Sequence, residues 1–237
     1  MPRPTLLERI ATPFTGLSAG TFAALSRLRG KRIFHPIGEA FAGTLTFNSA
    51  ADRWLPDVLA RPRQHDVIVR FSRAVGLPQA FPDILGFAIK IPDLYGNGWG
   101  QDWLLVTSAT DVVRRHVLIP SFGFLSRSYS SVLPYRSGET LVTFGAEPLT
   151  RRRARTFEDL ENLVRNEGMR FSFTVAAEGK DHVHLGQIEL TEARPQATSE
   201  NLRFNPWHSS SELRPAGPLN ELRRDSYVAS QKARRSA

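Results

Sequence analysis

The feature that most constrains this chain is strict alternation. Phe171, Phe173 and Val175 alternate with Arg170, Ser172 and Thr174. A period of two marks a strand with one face buried and the other solvated. Runs of the same texture lie at 43–47, 67–72, 86–91, 103–108, 141–144 and 185–190, separated by Gly, Pro, Asn and Asp. Seven or eight short strands in a chain of 237 residues predict an antiparallel barrel or sandwich. Gly96-Asn97-Gly98 is expected to be a tight turn between two of them.

The remaining segments carry helical patterns. Residues 5–11 and 18–28 precede the strands; Phe22 and Leu25 share a face, and Ser18 has the chemistry of an N-cap. Two helical insertions are expected at 111–118 and 157–166, the second with Leu160 and Leu163 along one side. The stretch 120–139, rich in Ser, Tyr and Pro, is expected to be a loop. A closing helix is expected over 218–233, with Pro218 in its first turn and Leu219, Leu222 and Val228 at apolar positions. The organisation is thus α+β: a helical arm over 1–30, then one barrel domain over 31–237, with no internal repeat.

Composition narrows the chemistry. The chain has no cysteine, so disulfides, iron–sulfur clusters on thiolates and cysteine-held zinc are excluded. Any metal must be held by His, carboxylate, Tyr or Met. The net charge of +8 is clustered, in Arg151, Arg152, Arg153 and Arg155 and again in Arg223, Arg224, Lys232, Arg234 and Arg235. This is expected to be a solvated basic surface, with no specific nucleic-acid partner; a basic barrel that binds nucleic acid is the non-enzymatic alternative. No window is apolar enough to span a membrane, and residues 1–10 lack a secretory pattern, so a cytoplasmic location is expected.

Several residues carry chemistry. Arg223 and Tyr227 are four apart on the closing helix and share a face. A guanidinium against a phenol oxygen favours the phenolate, a hard anionic ligand for ferric iron. His35 stands three residues after Arg32 and just before Pro36. Arg70 and Ser72, two apart in a strand, point to one face. A buried arginine there needs an anionic partner, and a ligand carboxylate would serve. His182 and His184 are also two apart and could bind a metal, although the bland reading is two structural histidines. His208, upstream of the closing helix, reads as a satisfied surface histidine, with a place near the ligand-bearing side of that helix as the alternative.

Taken in order along the chain, these segments resemble the haem catalases. Arg32 and His35 resemble the arginine and the distal histidine of that family; Val69-Arg70-Phe71-Ser72 resembles its Val-Arg-Phe-Ser strand. Asp83 to Lys90 is similar to Asp-Pro-Arg-Gly-Phe-Ala-Val-Lys, and Leu185 to Leu190 to a later strand. Phe204-Asn205-Pro206 looks like Phe-Asp-Pro, and Arg223 to Tyr227 like the proximal Arg-Leu-Phe-Ser-Tyr. The resemblance implies an eight-stranded antiparallel barrel with haem b between the barrel and the closing helix. Tyr227 would be the iron ligand, Arg223 would support its phenolate, and Arg32 and Arg70 would pair with the haem propionates. His35 would be the acid–base group for peroxide cleavage, with Ser72 fixing its tautomer.

Three departures from the family pattern shape the expected activity. Gly100-Gln101-Asp102 stands where catalases carry Gly-Asn-Asn, leaving open whether Gln101 or Asp102 faces the haem. Phe34 replaces the valine that precedes the distal histidine, and the chain is far shorter than a typical catalase. Together they favour a peroxidase that reduces hydrogen or organic peroxides with a small-molecule electron donor, with weak or no catalase activity. An isomerase of fatty-acid hydroperoxides, similar to catalase-related allene oxide synthases, is the alternative within the haem reading. The resemblance also allows a homo-oligomer.

Overall fold

The computed structural model describes residues 37–48, 54–76, 78, 80–150, 152–195, 202–217 and 220. The expected helices over 5–11 and 18–28, and the expected closing helix apart from Asn220, lie outside the described residues, as do Arg32, Phe34, His35, Arg223 and Tyr227.

The strands are β1 (Ile37–Phe47), β2 (Gln64–Arg73), β3 (Leu85–Ile91), β4 (Gln101–Ser108), β5 (Ser128–Ser130), β6 (Tyr135–Ser137), β7 (Thr140–Pro148), β8 (Met169–Ala177), β9 (Val183–Ala193) and β10 (Leu213–Pro215). Two helices accompany them, α1 (Asp57–Ala60) and α2 (Phe157–Glu167). All pairings are antiparallel, and they run β1–β2–β3–β4–β5–β7–β8–β9 and back to β1. That circuit is a closed eight-stranded barrel, which leaves no open edge among its staves. β6 and β10 form a side flap on the free stretch of β7. Register shifts opposite Ala42–Gly43 of β1 and Phe173–Thr174 of β8 leave Thr191 and Leu185 as extra residues on β9, and these bulges bend the strand that closes the ring. A Cβ on Gly43 would run into the backbone of Glu189 and Leu190, so β1 and β9 cross more closely than a larger residue permits.

Each expected strand is present, and several run further than periodicity indicated. β1 starts at Ile37 rather than residue 43, because Gly38, Glu39 and Ala40 are weak strand formers that pairing with β2 holds extended. Two expectations are corrected. The stretch 120–139 is not all loop: β5 within it is a barrel stave, three residues long and too short to show a period. The helix expected over 111–118 is only a 3₁₀ turn, Arg114–His116. Val112, Val113 and Val117 are poor helix formers. The Arg115 guanidinium is drawn instead onto the carbonyls of Lys180 (2.6 Å) and Ala177 (3.2 Å) at the β8–β9 turn.

Aromatic rings fill the barrel in two groups. Phe71 lies 5.0 Å from Phe87, 5.7 Å from Phe41 and 5.9 Å from Phe171. Trp103, Phe144 and Phe173 form the second group, with centroids 5.2–5.8 Å apart. Such contacts add about 0.5–1.5 kcal/mol per pair to the burial of apolar area. α2 lies against β9 and inserts Leu160 and Val164 into the same core.

Candidate functional site

Because Val67, Val69 and Phe71 point into the barrel, the alternation of β2 sends Ile68, Arg70 and Ser72 to its outer face. Cross-strand partners share a face, so the register assembles rows across β1 to β4. One row is Gly38, Ser72, Gly86 and Val106; the next is Ala40, Arg70, Ala88 and Leu104; the third is Ala42, Ile68, Lys90 and Asp102. In the first two rows, on β1 to β3, only Arg70 is larger than a hydroxymethyl group. A Cβ placed on Gly38 would collide with the Phe71 carbonyl and lie 2.7 Å from Arg70 Cζ and Nη2. The arginine therefore folds over Gly38, towards the first row. The result is a flat shelf with a guanidinium at one side.

The chain enters this shelf at a defined point. Gly38 pairs with Ser72, and His35 is three residues upstream of Gly38. Ser72 is buried, and Phe71 behind it is fully enclosed by core rings, which fixes the direction of the strand.

Asp102 and Gln101 point to opposite faces. Gln101 is paired with inward-facing Ile91 and buried; its Oε1 accepts from Tyr95 Oη at 2.8 Å, and its Nε2 donates to the Asp102 carbonyl at 3.0 Å. Burial pushes the Tyr95 phenol up, so it stays a donor to Gln101. Asp102 is on the outer face with Lys90, in the third row. Its side chain has no exposed surface and is fully engaged. Lys90 Nζ donates to both carboxylate oxygens at 2.7 and 2.8 Å, the Asn205 backbone N–H donates at 2.8 Å, and His208 Nδ1 lies at 3.4 Å. His208 Nε2 in turn accepts from the Gly100 N–H at 3.2 Å, and Trp99 packs edge-on at 4.9 Å. Sequence reasoning took His208 for a surface residue and gave Lys90 no role. The Gly96-Asn97-Gly98 turn was the available signal: a hairpin centred there sets Lys90 opposite Asp102.

His182 and His184 hold separate partners. His184 Nδ1 meets Ser172 Oγ at 2.8 Å, and His182 Nδ1 meets Thr174 Oγ1 at 2.8 Å. Burial, with Arg115 and His116 nearby, lowers His182 to about 4. Among the described residues, no three His, Cys, Asp or Glu side chains gather to hold a metal ion. Among them, too, no helix is long and apolar enough to cross a membrane.

A closed eight-stranded antiparallel ring of this kind has structural counterparts. The fold is that of the catalases. Catalase A from Saccharomyces cerevisiae superposes with a TM-score of 0.69 at 13% identity, over 90% of this chain and 63% of that one. A fungal catalase superposes with 0.64 at 15% identity, over 89% of this chain and 61% of that one. A bacterial catalase superposes with 0.67 at 14% identity, over 97% and 61%. The chain thus spans about three fifths of the length of each of these catalases. No protein-family model and no curated protein matches this sequence. At such identity the catalase likeness is one of fold, and the chemistry rests on the residues at the shelf.

The described residues fit a planar, anionic cofactor. The shelf offers hydrogens, methyls and one hydroxyl where a macrocycle would lie flat, and the Arg70 guanidinium suits a carboxylate at its margin.

Proposed function

We propose that this protein binds haem b on the outer shelf and acts as a peroxidase, reducing hydrogen or organic peroxides with electrons from a small-molecule donor. The observation that carries this reading is the register that joins Gly38 to Ser72 on a shelf of Gly and Ala side chains, with Arg70 folded over it. That pairing sets Gly38, three residues after His35 in sequence, opposite Ser72, which supports a contact between the two side chains.

In this reading Tyr227 holds the iron from the closing segment, with Arg223 stabilising its phenolate. Arg32 and Arg70 bind the propionates. The haem iron supplies the Lewis acid and the redox capacity for breaking the O–O bond. His35 accepts the proton of the bound hydroperoxide and delivers it to the departing oxygen, so that it leaves as water or an alcohol rather than as an anion. Ser72 bonds the other ring nitrogen of His35 and fixes which nitrogen is free to work. Gln101 and Asp102 belong to the strand that walls the site. Gln101 braces the wall from the barrel side, and Asp102 ties down the chain that leads to the closing segment.

The test is the visible spectrum of protein purified after haem is supplied during expression. A Soret band with the charge-transfer features of ferric tyrosinate is expected. The same spectrum in Tyr227→Phe would remove the ligand assignment. His35→Ala is expected to keep haem and lose peroxide cleavage by about 10²–10⁴-fold. Unchanged turnover in that variant would rule out its role.

A further inference from the structure

Asp102 is a buried carboxylate in contact with three groups, two of them on a segment that lies more than 100 residues away in sequence. That segment, 202–217, crosses the barrel as a strap fixed at both ends. At its start Asn205 N–H donates to Asp102 Oδ2, Asp102 N–H donates to the His208 carbonyl (2.8 Å), and Trp99 Nε1 donates to the Ser209 carbonyl (3.1 Å). The Lys90 ammonium that neutralises Asp102 also lies 5.4 Å from the Phe204 ring centre. At its end β10 pairs with β6, and Asn220 Nδ2 donates to the carbonyls of Pro134 (3.2 Å) and Ala216 (2.8 Å). Asp102 therefore fastens the strap to the face of β3 and β4 that forms the shelf, one row beyond Ala88 and Leu104. The chain from Asn220 reaches Tyr227 in seven further residues.

We propose that Asp102, charge-balanced by Lys90, is a positioning residue: it latches the start of the strap to the shelf sheet and so fixes the course of the chain that leads on to Tyr227. The proposal rests on the haem reading above. Burying a carboxylate is costly unless it is paired, and a network this complete has only one low-energy arrangement. A strap held there at its start, and by β6 and the Pro134 carbonyl at its end, gives the chain that runs on to Tyr227 a fixed course. A strap that wanders would deliver the phenolate at variable distance.

The test pairs a latch variant with a charge-free control. Asp102→Ala leaves the Asn205 N–H and Lys90 without their acceptor. The double variant Lys90→Met, Asp102→Leu removes both charges and replaces them with apolar volume, which commonly preserves barrel stability. Hydrogen exchange is followed in peptides over 202–217, with β8 as the internal reference, in protein without haem. Haem release to an excess of apomyoglobin is then followed in the loaded protein. Both variants are expected to accelerate strap exchange by about tenfold or more with β8 unchanged, and haem release by a similar factor. Unchanged strap protection in the double variant would overturn the latch. Faster strap exchange with unaltered haem release would overturn the positioning role. A wild-type protein that takes up no haem overturns the haem reading and the positioning role with it, while the exchange data alone still decide whether Asp102 holds the strap.

Discussion

At the scale of single residues, the shelf works through what is small. Gly38 leaves room for the Arg70 guanidinium, and Gly86 and Ala88 put no side chain larger than a methyl on the neighbouring strand. Ser72 is the one hydroxyl of its row. In the peroxidase reading it orients His35 without touching substrate, so Ser72→Ala should retain haem and slow peroxide cleavage by about 10–100-fold, the usual scale for a partner one step behind the reacting group. The loss should vary with pH differently from that of His35→Ala, because the free tautomer, not the base itself, is what changes. Stopped-flow spectra with peroxide across pH check this; a Ser72→Ala rate equal to wild type throughout would remove the contact. Arg70 and Ser72 were legible from sequence because an i, i+2 pair in a strand shares a face wherever the strand sits. The Asp102 network was not. It joins groups from two distant segments, and no local spacing announces that the Asn205 N–H and His208 will meet a carboxylate on β4.

At the scale of elements, alternation located the long strands because their inward residues are large and apolar. It missed β5, β6 and β10, which are three residues each and owe their conformation to neighbours rather than to pattern. The helix over 157–166 was legible, since a capping box reinforces its apolar face: Thr156 Oγ1 accepts from Asp159 N–H at 2.9 Å, and the Asp159 carboxylate accepts from Thr156 N–H at 2.9 Å. Thr156→Ala is expected to destabilise the protein by about 1 kcal/mol, read as a lower urea midpoint with an unchanged slope. The β8–β9 hairpin carries a second, pH-dependent term. His182 is half-buried, and its partial burial, Arg115 and His116 together lower it from its ordinary 6.5 to about 4. The folded state thus keeps His182 neutral where the unfolded chain would protonate it. Stability is full above about pH 6.5 and falls as the pH drops towards about 4. Burial lowers His116 too, with the same sign. Between pH 7.5 and 5 the His182 contribution is about 2 kcal/mol. Urea unfolding at the two pH values measures it, and His182→Asn, which can still reach Thr174, should flatten the difference. A variant as acid-sensitive as wild type would place the effect elsewhere.

At the scale of the whole molecule, the haem reading makes the barrel and haem thermodynamically linked. The ring closes through its own hydrogen bonds and two groups of aromatic rings, so the barrel is expected to fold without haem. A group that binds the folded state alone then adds RT ln(1 + [L]/Kd), about 2.7 kcal/mol at a hundredfold excess over Kd. For a chain of this size that raises Tm by about 5–10 °C. Proximal and distal groups should contribute differently to the rise. In the haem reading the propionate contact of Arg70 and the iron bond of Tyr227 would stabilise bound haem in its resting state, so Arg70→Leu and Tyr227→Phe should each shrink the shift. His35→Ala should leave most of it, because acid–base catalysis is realised during the reaction and not in resting binding. Differential scanning calorimetry of the four proteins, each with and without haem, checks the pattern. Equal shifts in all four would mean that haem binds away from the shelf, and the catalase fold would then be carrying a different chemistry.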